Sequence, residues 1–85
     1  MNKLKDYNKI LKNKLFGLLN EREKNGQWEN FLDNILIELI ELTDNIQNIN
    51  YYILYYKIST CRYLSFKYYR KTIFECMSLI DRIDV

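Results

Sequence analysis

Two thiols, Cys61 and Cys76, and a scatter of carboxylates are the side chains here that could do covalent chemistry. No histidine occurs anywhere in the 85 residues. That removes Ser-His and Cys-His nucleophile pairs and every histidine-containing metal site. Two cysteines fifteen positions apart do not make a structural zinc site and are too few for a disulfide scaffold. They are expected as reduced, partly buried thiols. Two glycines cannot build a phosphate-cradling loop. Glu38 and Glu41 pair two carboxylates on one predicted helix, but on its outward face, where such groups are solvated far more often than catalytic. The expectation is a protein that is not an enzyme, uses no metal or cofactor, and works by binding.

Charge is the chemistry that remains, and it is laid out in blocks. Residues 1–24 carry seven basic and three acidic side chains. Residues 29–50 carry five acids, Glu29, Asp33, Glu38, Glu41 and Asp44, and no base. Residues 51–74 reverse this, with Lys57, Arg62, Lys67, Arg70 and Lys71 and no acid. Single-sign blocks create local fields even when, as here, the net charge is only +2.

Two candidate surfaces follow. On a helical wheel, Glu29, Asp33, Glu38, Glu41 and Asp44 fall away from the apolar stripe, with Ile37 in their midst. This reads either as a solvated face that pairs with the basic helices of the same chain, or as a partner surface with Ile37 as its apolar anchor. The second candidate is Arg62, Tyr63, Lys67, Arg70, Lys71 and Phe74. It joins cations suited to phosphate with rings suited to stacking on bases. A helix-turn-helix arrangement would send Ser65, Lys67, Tyr68 and Lys71 toward a groove, although the turn at 59–64 lacks the usual glycine.

The elements that must carry these faces are helices. Leu4, Tyr7, Leu11, Leu15 and Leu18 recur at spacings of three and four, which predicts a helix over about 3–24. Asn25-Gly26 is the strongest turn signal, and Gly26 would supply the permissive backbone that helix ends favour. Beyond it, Trp28, Leu32, Ile35, Leu39, Leu42, Ile46, Ile49, Ile53 and Tyr56 form an unbroken heptad-like run. A compact fold needs a break in that run, and Thr43-Asp44-Asn45 and Asn48 to Asn50 are the places whose side chains compete with helical backbone. A phase change near Ser59 to Ser65 opens a new stripe of Phe66, Tyr69, Ile73, Cys76, Ile80 and Ile83, with Ser65 as its N-cap. The predicted fold is all-α, a bundle of three or four helices at about 3–24, 28–43, 46–60 and 65–83, with the last two either separate or merged. Tyr51 to Ile58 is apolar all round, which predicts a central helix or one in a homodimer interface.

Eighty-five residues read as one domain, 1–85. The apolar share of 48% and aromatic share of 15% are too high for a disordered chain. No run of about 18 apolar residues is present, so no transmembrane helix is expected. The basic N-terminus lacks the apolar core of a secretory signal, so a cytoplasmic location is expected. Proline, histidine and alanine are absent while Asn, Lys, Ile and Tyr abound, a bias that AT-rich coding produces. Together these features suggest a small interaction protein of a low-GC bacterium, or of its phage or mobile element. It would bind a larger, basic host protein and inhibit or adapt it, as anti-CRISPR proteins do to nucleic-acid-handling defence enzymes. The alternatives are a DNA- or RNA-binding regulator using residues 62–74, and a self-assembling helical bundle.

Overall fold

Four helices and one short turn make up the computed structural model, which describes residues 3–83, with side chains from Lys5 onward. They are α1 (Lys3–Leu19), α2 (Gly26–Asn45), α3 (Ile49–Thr60) and α4 (Phe66–Arg82), with a single 3-10 turn at Cys61–Tyr63. Leu4 of the predicted first stripe lies outside the described side chains.

The first helix is shorter than its sequence suggests. It ends at Leu19, because residues 20–25 contain no apolar side chain and a continued helix would have nothing to bury. Other elements satisfy its last carbonyls. Arg70 Nη1 donates to the Leu19 carbonyl at 2.6 Å, and the Tyr69 hydroxyl to that of Leu18 at 3.4 Å. Gly26 does not end α1 either. It opens α2, with Asn25 as N-cap accepting from the Trp28 N–H at 2.9 Å. No described glycine has positive φ.

The heptad-like run breaks later than Thr43. Thr43 and Asn45 stay helical, and their side chains donate to carbonyls one turn back, Thr43 to Ile40 and Asn45 to Glu41. The chain leaves α2 at Ile46, and Asn48 caps α3 by accepting from the Asn50 N–H. Helices α3 and α4 are separate, and Ser65 caps α4 by accepting from the Tyr68 N–H.

Packing follows a four-cornered plan. Helix α1 lies against α2 and α4, and α3 lies against the same two. Leu19 meets Arg70 while Lys12 meets Asp81, so α1 and α4 run antiparallel, and the short connections turn the chain back between each successive pair of helices. The result is an up-down-up-down bundle of 37 × 20 × 20 Å. Its core is one contiguous cluster that includes Leu11, Leu15, Trp28, Leu32, Leu39, Leu54, Ile58 and Ile73. Polar and aromatic contacts cross both diagonals. Tyr51 of α3 donates to Asn8 of α1, and Trp28 of α2 meets Tyr69 of α4 edge to face at 5.3 Å.

The core departs from the heptad pattern on α3. Tyr51, Leu54 and Ile58 are buried, whereas Ile49, Ile53 and Tyr56 face outward. Helix α3 is therefore a corner of the bundle and not its centre, and one side is open. Tyr7 and Phe66, expected in core stripes, are also exposed. Both cysteines are free and fully buried. Among the described residues no helix is long and apolar enough to cross a membrane.

Candidate protein-binding groove

The acidic face of α2 divides into two halves. Glu29 and Asp33 both bind Arg62, the first through Nη1 and the second through Nη2. These hydrogen bonds and the two carboxylates raise the Arg62 pKa, led by the bond to Asp33. Glu38 pairs with Lys14 of α1. These three acids therefore pair within the chain and stitch α2 to its neighbours. Glu41 and Asp44 are exposed, and no ion-pair partner is found for either among the described residues.

Ile37 is where the helical wheel puts it, pointing away from the core and 56% exposed. It stands on the wall of a groove of about 750 Å³ between α1 and α2. Tyr7, Ile10, Lys14 and Gly17 form the α1 side, at spacings that keep them on one face. Phe31, Asn34, Ile37, Glu38 and Glu41 form the α2 side, and Ile35 contributes to the floor. Gly17 borders open space toward the loop end of the groove, where a Cβ would meet nothing within 4 Å. The lining is mostly apolar, with the bridged Lys14–Glu38 pair and the Glu41 carboxylate at its polar margin. Concave, largely apolar sites with a few placed polar groups are the form that binding sites take.

A second groove, between α1 and α4, encloses about 570 Å³. Lys5, Lys9 and Lys12 line it, and the Lys12–Asp81 pair, 2.5 Å apart, lies in its wall.

The basic candidates also separate. Arg62 is committed to α2, and Arg70 is turned back over the Phe66 ring to cap α1. Neither points freely to solvent, and Arg62 makes the pairing between basic and acidic helices of one chain that the sequence offers beside the partner reading. Lys67 and Lys71 are exposed, as are Tyr63 and Phe74. No carboxylate pairs with either lysine among the described residues.

The bundle end that holds these groups is organised by Lys24, which no pattern in the sequence singles out. Its ammonium donates to the carbonyls of Cys61, Arg62 and Leu64 and lies 5.0 Å from the Trp28 ring centroid and 5.5 Å from that of Tyr69. Burial lowers its pKa, and the nearby Cys61 and Glu29 pull the other way. It caps the C-terminal end of α3, where a cation is favoured.

Tyr7, Ile10, Gly17 and Phe31 of the groove are likewise additions to the residues expected from sequence. The signal available was that Ile10, Phe31 and Ile37 are apolar residues lying off the core stripes of their helices. Compared with protein-family models, curated proteins and solved structures, the chain matches none of them.

Proposed function

We propose that this chain is a non-enzymatic protein-binding module that receives an apolar segment of a larger partner in the α1–α2 groove. The observation that carries this reading is Ile37, an aliphatic side chain held outward beside Tyr7 and Ile10, which are also exposed. Exposed apolar residues gathered at a groove mark interaction sites. Glu41 and Asp44 on the same helix favour a segment with basic residues flanking its apolar anchors, because complementary charge speeds encounter. An amphipathic helix laid into a helix–helix groove has this chemistry. A basic, nucleic-acid-handling host protein, bound in the cytoplasm by a phage- or mobile-element-encoded inhibitor, is the physiological form of the reading. Small size, AT-rich coding bias and the acidic α2 face support it.

The test is binding by the intact protein and by Ile37→Asp, with host lysate cross-linked to each and the captured proteins identified. A basic protein held by the first and lost by the second is the expected result. Equal capture by both would remove the groove from the binding surface.

A second reading has its own observation. Lys67, Lys71 and Arg82 occupy one outward face of α4 with Phe74 between them, and no carboxylate pairs with any of the three among the described residues. A row of cations with an interposed ring suits a nucleic-acid backbone.

A further inference from the structure

We infer that α3 is the contact face of a two-fold homodimer, formed through Ile49, Tyr52, Ile53 and Tyr56. These four side chains are 71, 55, 38 and 71% exposed. Their spacing of three, four and seven sets them in one stripe along the outer side of the helix. The stripe does not overlap the α1–α2 groove, so the inference is independent of the function proposed above.

Three features select a second copy of this chain as the occupant. The first is order. Paired antiparallel about a point midway between Tyr52 and Ile53, the stripe sets Ile49 against Tyr56 of the other copy, with Tyr52 and Ile53 beside the axis, each facing its own symmetry mate. The outer contacts then join a tyrosine ring to an isoleucine, large against small, and the central ones join like to like, so that one stripe complements itself as an isologous interface requires. The second is charge. From Asn45 to Tyr56 the chain has no Asp, Glu, Lys or Arg. Such a surface offers a charged partner no steering and brings no like charges together across a two-fold axis. Lys57 follows at the border, 3.9 Å from Glu75 of its own chain, and so is balanced. The third is area. With about 200 Å² for each large side chain, covering the four removes roughly 500 Å² per copy. The pair then buries about 1,000 Å², the lower bound for a biological interface and the size of one that dissociates on dilution. A patch this large is at the upper end of what a monomer leaves uncovered. The tyrosines can bury their rings and keep their hydroxyls in water at the rim.

The experiment is light scattering coupled to size exclusion across a wide range of protein concentration. The expected mass is twice the 10.5 kDa of the chain at high concentration, falling toward one copy on dilution. Tyr56→Glu should weaken the dimer at least tenfold while circular dichroism stays unchanged, since the side chain is outside the core. Adding Ile49→Lys to Tyr56→Glu should recover part of that loss, because the antiparallel register brings the two new charges together across the axis. Ile53→Cys provides a test that does not rely on disruption. It lies next to the axis and should form an intermolecular disulfide under mild oxidation, whereas Ile37→Cys should not. A monomer at every concentration overturns the inference. So does a dimer that survives Tyr56→Glu, or one abolished by Ile37→Asp instead, which would place the second copy in the groove.

Discussion

The hydroxyl of Tyr51 donates to Oδ1 of Asn8 across 2.6 Å, inside a core that is otherwise almost wholly apolar. The two residues are 43 apart in sequence and stand on helices at opposite corners of the bundle. A bond of this kind adds little when both partners are present, but leaving one without the other exposes a buried polar group to an apolar surrounding. It also fixes register, since a slide of either helix by one turn would strand both groups.

Tyr51→Phe should therefore destabilise the fold by about 1–3 kcal/mol, by orphaning Asn8. Asn8→Leu alone should cost a comparable amount by orphaning the tyrosine. The double variant should cost less than the sum, because neither polar group is left behind. Urea unfolding followed by the fluorescence of Trp28, the one tryptophan in the chain, measures all three. Strict additivity would show that the bond does not contribute.

Lys24 holds the loop end together, and Lys24→Met tests this while keeping most of the aliphatic stem. Without the ammonium, three carbonyls of the α3–α4 connection have no donor from this side chain. The expected cost is roughly 1–2 kcal/mol, the range for a hydrogen-bonded charge partly open to water. Amide exchange at residues 61–65 should accelerate more than exchange in α1. A uniform acceleration would mean that Lys24 acts on the whole bundle and not on that connection.

Stability should be flat near neutral pH and decline above pH 9. Burial pushes Cys61 from its ordinary 9.0 up to about 11 and Cys76 up to about 12. Below 9 both thiols are protonated whether folded or not, and the stability is fully present. Above 9 the unfolded chain ionises while the native one does not, so each thiol withdraws about 1.4 kcal/mol per pH unit until its folded pKa is reached. Tyr51, raised above its ordinary 10.0 by burial, acts in the same sense. Lys24, lowered by burial, acts in the opposite sense and offsets part of the loss. Denaturant midpoints from pH 7 to 11 should show the decline, and replacing both cysteines by Ser should flatten it. The same thiols should resist alkylation in the native state and react fully in urea.

Gly17 gives the groove a test that separates folding from binding. Gly17→Ala should stabilise the protein by about 0.5–1 kcal/mol, since glycine inside a helix is costly and the added Cβ has free space. Gly17→Phe should keep the fold but fill the groove and abolish binding of a groove partner. Ile37→Asp should do the same with a stability change within about 0.5 kcal/mol, as for other exposed sites. If thermal melting shows that Ile37→Asp unfolds the chain, the outward placement of Ile37 is wrong.

For the nucleic-acid reading, Lys67→Glu with Lys71→Glu should weaken binding to every sequence alike. The salt dependence should flatten by about two counterions, one for each phosphate that is no longer neutralised. Undetectable binding of the intact protein to DNA and RNA at low salt would dismiss that reading.

Much of this was written in the sequence, because helix formation and amphipathicity are local properties. Spacings of three and four in Leu11, Leu15 and Leu18, in Trp28 through Leu42 and in Tyr69 through Ile80 placed the core faces of α1, α2 and α4, and Ser65 marked the start of α4. The outward position of Ile37 was also legible, since a wheel needs only the residue's own helix. What the tertiary structure decided is which helices meet, and at what height. The heptad run could not reveal that α3 turns Tyr51, Leu54 and Ile58 inward instead of Ile53 and Tyr56, because both stripes are apolar and only the neighbours choose between them. Nor could it reveal that Arg62 would be taken up by Glu29 and Asp33, that Arg70 and Lys24 would cap helices they do not belong to, or that Asn8 would find Tyr51. Each of those contacts joins residues 29 or more apart in sequence, and partners so distant become neighbours only when apolar burial has drawn the four helices into one bundle.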